Sequence, residues 1–260
     1  MLDYSFTYQD LELFLLVLIR VASFIFVAPF FSMTNTPRNV RVLFSIFLSV
    51  MIFGLIPKTP LGYSTLAEYA IIVLKEVVTG LLIGFGANLT MMIVNFAGHI
   101  ADMEVGLSMV SLMDPNTRDS VTITGIYYNY MFTLMLIITG MHRYLIQALI
   151  ETYTLIPVNG QVFHTNDLMN AMLKFMGDYI IIGFRICLPI FVTMILLNAI
   201  LGILAKVSPQ MNMFAVGMQI KVLTGLGILF LTCAMLPDAA GFVFEQMKRM
   251  VVLMVEAMSA

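Results

Sequence analysis

The sequence predicts an all-α integral membrane protein of about six long apolar helices, some of them broken or hairpin-like. Three observations carry this. Hydrophobic residues fill 60% of the 260 positions and charged residues only 11%, whereas a soluble domain devotes about a quarter of its residues to charge. Apolar stretches of about 20 residues, the length that crosses a bilayer, recur from Leu11 onward. Between them lie short turn-forming clusters and no polar stretch long enough to fold in water. Residues 1–260 therefore read as a single membrane-embedded domain.

The apolar runs are Leu11–Phe31, Val40–Ile56, Leu66–Phe96, Ile123–Thr139, Ala171–Val207 and Phe214–Leu236. No Lys or Arg precedes Arg20, so a cleavable leader is not expected and the first run is retained as a span. Breaks fall at Thr34-Asn35-Thr36-Pro37, Pro57-Lys58-Thr59-Pro60, Asp114-Pro115-Asn116, Pro157-Val158-Asn159-Gly160 and Ser208-Pro209-Gln210. Leu66–Phe96 and Ala171–Val207 are too long for one simple span; a tilted helix, a broken helix and a hairpin all fit. Arg38 and Arg41 favour a cytoplasmic first loop, but Lys58, Arg118, Arg143 and Lys206 are scattered and leave the topology open. Residues 239–260 form an amphipathic C-terminal tail. Phe242, Met247, Met250, Val251 and Met254 lie near one helical face, and Glu245, Lys248, Arg249 and Glu256 occupy much of the rest.

Several functions are excluded at this point. A net charge of −2 gives no basic surface for nucleic acid. No P-loop, nucleophile elbow, HExxH or dinucleotide fingerprint occurs, so neither an enzyme nor a cofactor is expected. His99, Asp102 and Glu104 hold the residue types of a metal site. No second histidine stands at helical spacing, and no metal is expected. Cys187 and Cys233 lie in long apolar runs and read as inert buried thiols.

Charges inside the apolar runs are the informative exceptions. Arg20, Lys75, Glu76, Arg185 and Lys221 each face an insertion cost of about 3 kcal/mol if left in lipid. Lys75 and Glu76 are adjacent, so their side chains diverge by about 100° around a helix and make no good local pair. Three arrangements satisfy such charges: a polar seam between subunits, an internal salt bridge that fixes helix packing, or an ion relay. The last corresponds to an ion- or proton-coupled small-solute transporter using Glu76, Lys75 and Arg185. Gly80 and Gly84, one turn apart, allow a second backbone close approach.

The stretch His99–Ser120, HIADMEVGLSMVSLMDPNTRDS, is apolar and small-residue-rich, too short to span, and bracketed by acids. It fits a re-entrant loop over 97–120, since irregular backbone at membrane depth is tolerated when buried in protein. An amphipathic surface connector is the plainer alternative.

Four sets of residues resemble the FliR family, called SctT in injectisomes. These are Gly98-x7-Gly106-Leu-Ser closing on Asp114-Pro115, Gly140-Met-His142 with the Thr152–Gly160 loop, Lys206 before Pro209-Gln210-x-Asn212, and Glu76-x3-Gly80-x3-Gly84 with Arg20 and Pro29. The resemblance spans about Leu11 to Met250. At Lys206 the family more often has Arg; lysine keeps the charge and loses the bidentate fork.

The resemblance implies a non-enzymatic subunit of the type III, or flagellar, protein-export gate. It would sit in the bacterial inner membrane at a flagellar basal body or injectisome base. Its implied partners are FliP-like, FliQ-like and FlhB-like subunits in a hetero-oligomeric helical pore, together with membrane lipid and exported unfolded polypeptides. The family's central loop plugs the closed channel, which transfers here to Gly106, Leu107, Met109, Val110, Leu112 and Met113, with Asp114 and Pro115 as the turn. Arg20, Lys75, Glu76, Arg185, Lys206 and Lys221 become candidates for buried charges at subunit seams, and Gly80 and Gly84 for helix packing.

Overall fold

The computed structural model describes residues 7–33, 36–57, 61–109, 112–113, 120–208, 210 and 212–259. Eight α-helices form among them: α1 (Tyr8–Val27), α2 (Arg38–Phe53), α3 (Leu66–Val105), α4 (Ile123–Ile138), α5 (Met141–Leu155), α6 (Thr165–Val207), α7 (Met213–Thr232) and α8 (Leu236–Glu256). The fold is all-α apart from one antiparallel ladder of two-residue strands, β1 (Leu112–Met113) and β2 (Ser120–Val121), pairing Leu112 with Val121 and Met113 with Ser120.

Each apolar run becomes a helix, and both long runs are continuous. Leu66–Phe96 extends to Val105 as α3, and Ala171–Val207 begins at Thr165 as α6 with Pro189 inside it. Pro189 cannot donate to the Arg185 carbonyl, yet the helix carries through, and the Thr193 hydroxyl donates back to the Pro189 carbonyl at 2.7 Å. Among the described residues three stretches are long and apolar enough to cross a membrane: Leu66–Val105, Thr165–Val207 and Ala215–Glu256. The α4–α5 pair, bent by 67° at Thr139-Gly140, brings the number to four. Gly140 takes φ +73° at that bend, a left-handed conformation glycine enters without strain.

The described residues divide into two compact units. The first comprises residues up to Leu89, Gly140–Phe175 and Gln246 onward; the second comprises Thr90–Thr139 and Met176–Glu245. In the first, Leu16, Val17, Val21 and Phe24 of α1 are buried, as are Leu145 and Leu149 of α5 and Met247, Met250 and Met254 of α8. Of the segment expected to be amphipathic, 239–260, the part from Gln246 onward belongs to this unit, and Met247, Met250, Val251 and Met254 of its apolar face are buried in it. It is also tied down by backbone: the Val162 amide donates to the Met258 carbonyl (3.1 Å) and the His164 amide to that of Ala257 (3.0 Å). Phe242, placed on that face by the sequence, is 41% exposed. In the second unit Ala101, Val105, Ile190 and Met194 form a buried cluster that Leu107, Leu197, Val222, Ile228 and Leu229 pack around.

Candidate functional site

In the first unit, two of the intramembrane charges find each other. Arg20 sits mid-way along α1 and Glu76 one turn before Gly80 on α3; both are 0% exposed. Arg20 Nε donates to Glu76 Oε2 at 2.5 Å and Nη2 to Oε1 at 3.0 Å, a two-pronged fork. The third nitrogen, Nη1, donates to the Ile156 carbonyl at 3.0 Å. Glu76 Oε1 also accepts from the Gln161 side-chain amide (2.6 Å) and the Asn159 backbone amide (3.3 Å). The guanidinium face lies 4.3 Å from the Tyr153 ring centre, and the Tyr153 hydroxyl donates to the Val17 carbonyl at 3.2 Å. Asn159 holds φ +66°, a left-handed turn position that asparagine tolerates well, and this aims its amide at the carboxylate.

Glycines set the spacing of this clasp. A Cβ on Gly80 would stand 2.0 Å from Ser23 Oγ and 2.3 Å from the Arg20 carbonyl oxygen; one on Gly84 would stand 3.0 Å from the Phe24 carbonyl oxygen. The Gly80–Gly84 step therefore seats α3 on the α1 backbone within the chain, and brings Glu76 within reach of Arg20. For these two charges the internal salt bridge replaces the subunit seam. Lys75 points elsewhere and is half-buried, Lys221 on α7 is half-buried, and Lys206 is exposed in the last turn of α6. Arg185 is exposed and stacks its guanidinium 3.8 Å from the Phe242 ring centre. Asn159 and Ile156 entered the sequence argument only as members of the Thr152–Gly160 loop, and Gln161 not at all.

In the second unit the central segment hangs between α3 and α4. Gly106, at φ +89°, ends α3, and Leu107–Met109 makes a 3₁₀ turn with Leu107 packed against the Val105–Met194 cluster. Leu112 and Met113 form β1, while Val110, Asp114 and Pro115 lie outside the described residues. Asp102, 0% exposed, accepts from the Thr124 amide at 2.7 Å and the Thr124 hydroxyl at 2.5 Å. A Cβ on Gly98, one turn earlier, would fall 2.4 Å from Gly125 Cα, so the two helices touch backbone to backbone. Among the described residues no three His, Cys, Asp or Glu side chains gather as metal ligands; Asp102 is committed to Thr124.

The family model described as bacterial export proteins, family 1, matches residues 11–247. The flagellar biosynthetic protein FliR of Bacillus subtilis is 29% identical over 85% of this chain and 85% of its own length. That of Buchnera aphidicola from Acyrthosiphon pisum is 27% identical over 89% of this chain and 92% of its own. That of Escherichia coli K12 is 24% identical over 89% and 87%.

Proposed function

The chain belongs to bacterial export proteins, family 1, the family of the FliR proteins, and from that premise we propose that it forms and seals part of a channel for unfolded export substrates. As a FliR-family protein it is a structural component of the flagellar export apparatus and resides in the membrane there. Within that frame the proposal is specific. Residues 1–260 act as one membrane-embedded body in the bacterial inner membrane, assembled with FliP-like, FliQ-like and FlhB-like subunits. Gly106, Leu107, Met109, Val110, Leu112 and Met113 close the channel, with Asp114 and Pro115 turning the loop.

One observation carries the assembly. Large apolar side chains stand exposed along α6 from Leu173 through Ile181, Leu188, Leu196 and Ile203 to Val207. At 1.5 Å per residue these positions span about 51 Å of helix. A hydrocarbon core of about 30 Å crossed at the steepest usual tilt, about 40°, covers about 39 Å of helix. About 12 Å of helix bearing exposed apolar side chains is left outside lipid, and other protein chains are the cover that suits it. For the seal, a narrow collar of apolar side chains blocks ions by dewetting. Methionine, flexible and polarizable, re-packs around varied passing residues.

A transporter using Glu76 as a relay has no comparable support, because that carboxylate is enclosed by Arg20, Gln161 and Asn159. The test is coexpression with FliP-like and FliQ-like chains, extraction in mild detergent, and conductance of the purified complex with and without residues 106–113. A large hetero-oligomer that conducts ions only after deletion supports the proposal. A stable lone monomer refutes the assembly, and an ion-tight deleted complex refutes the seal.

A further inference from the structure

We propose that Asp102 is the positioning residue of the central segment, holding both its ends on one rigid stem by capping α4 from α3; this deepens the sealing role proposed above and rests on it. A helix begins with amide hydrogens that have no partner in the helix itself, and its N-cap side chain ordinarily takes one of them. At α4 the N-cap is Thr122, whose side chain makes no cap hydrogen bond; among the described residues the buried Thr122 Oγ1 has no hydrogen-bond partner. The cap comes instead from far along the chain. Asp102 Oδ2 accepts the amide of Thr124, the second residue of α4, at 2.7 Å, and Oδ1 accepts the Thr124 hydroxyl at 2.5 Å.

Three further features make a stem of this contact. Gly98 and Gly125 let the helices meet at backbone distance one turn from the cap. Gly106 at φ +89° ends α3 one turn beyond Asp102, its amide still bonded to the Asp102 carbonyl at 3.0 Å. The β1–β2 ladder pairs Leu112 with Val121, continuing the closure toward the segment's middle. The start of a helix carries a partial positive charge, which suits an aspartate side chain to the task. The acid that stands among His99 and Glu104 in sequence thus serves α4.

The experiment uses the complex purified with its partner subunits. Hydrogen exchange is read over the first turn of α4, and ion conductance in planar bilayers, for Asp102→Ala, Asp102→Asn, Thr124→Val, the Asp102→Ala/Thr124→Val double variant and the 106–113 deletion. Losing charge-assisted hydrogen bonds accelerates exchange at Thr124–Ile126 by about 100-fold in Asp102→Ala, and conductance rises with it. Asp102→Asn, whose side chain still accepts from the Thr124 amide, and Thr124→Val, which loses only the hydroxyl bond, change both by much less. In the double variant Thr124→Val adds nothing to the hydroxyl-linked part already lost. Should Asp102→Ala fail to assemble, the two near-isosteric variants carry the test.

Unchanged exchange at the start of α4 overturns the proposal. So does faster exchange with an ion-tight pore while the deletion conducts, since the cap would then not govern the segment. If the deletion itself stays ion-tight the sealing role falls, and exchange alone decides whether Asp102 fixes the stem.

Discussion

Removing one member of the Arg20–Glu76 clasp strands the other in a dry core. Arg20→Leu leaves Glu76 with the Gln161 side chain and the Asn159 amide but without its cation; Glu76→Leu leaves a guanidinium with the Ile156 carbonyl and the Tyr153 face. Breaking a buried pair this way costs about 3–5 kcal/mol, whereas replacing both members with apolar residues of similar volume is often close to neutral. Against a total stability of about 5–15 kcal/mol, each single variant loses about a fifth of it or more. Arg20→Leu with Glu76→Leu recovers most of that loss and leaves the Gln161 and Asn159 donors as the residual deficit. The assay is reversible denaturant unfolding of the chain in mild detergent, followed by limited proteolysis of the first unit, for both single variants and the double. A coupling energy below about 1 kcal/mol, or a double variant worse than the sum of the singles, refutes the clasp as the element that joins α1 to α3. A proton relay at Glu76 gives another pattern: stability little changed in either single variant, and transport lost in both.

Four further outcomes follow from named contacts. Gly80→Ala drives a methyl group into the Arg20 carbonyl and loses about 1–3 kcal/mol by overpacking, while Gly177→Ala, with nothing within 4 Å of its Cβ, gains up to about 1 kcal/mol from helix propensity; thermal unfolding of the two separates them. Met254→Ala opens a void where Met254 is fully buried, costing about 2–5 kcal/mol and exposing the first unit to protease. In the central segment, Met109→Ala with Met113→Ala gives a small ion leak, and Met113→Asp a larger one because charge stabilises water in a constriction; membrane depolarisation in cells reads the order. Leu107→Asp places a carboxylate against the Val105–Met194 cluster and reduces complex yield through the second unit, unlike Ser108→Asp, whose side chain is exposed.

Hydropathy located the helices because lipid-length apolar runs have few other uses, but it does not report continuity. Nothing in Leu66–Phe96 or Ala171–Val207 separates one long helix from a hairpin, since Gly80, Gly84 and Gly86 in the first and Pro189 in the second serve a kink, a close approach or a turn equally well. It passed over α5 for the opposite reason: His142, Arg143, Gln147 and Glu151 lower the apolar content of Met141–Leu155. The signal there was periodic, with Met141, Leu145, Leu149 and Tyr153 at four-residue steps, all buried. That Arg20 and Glu76 each needed a partner was legible; that they are each other's partner was not, because two helices far apart in sequence meet through Gly80 and Gly84. The donors from Asn159 and Gln161 belong to a polar turn, where sequence reads only a break. Along the tail Met247, Met250, Val251 and Met254 are buried while Phe242, assigned to the same face, is exposed; amphipathicity gives a face but not what covers it.

The make-up of the first unit has a consequence for how the protein comes into being. Its core draws on α1 and the start of α3, then α5, then Met247–Met258, so translation delivers the pieces in three widely separated instalments. When α3 emerges, Arg20 meets Glu76, but the Ile156 carbonyl, Asn159 and Gln161 do not yet exist, and the pair waits half-satisfied. The face of α3 at Gly86, where Met254 packs at 3.0 Å from a would-be Cβ, stays open until Met254 is made. Pairings so distant in sequence close slowly, because loop entropy is lost before the contacts repay it. A ribosome stalled before Gln246 therefore yields a chain whose first unit is unfinished and open to membrane proteases. The first unit closes only when residues 247–258 arrive, long after α1 and α3 have met.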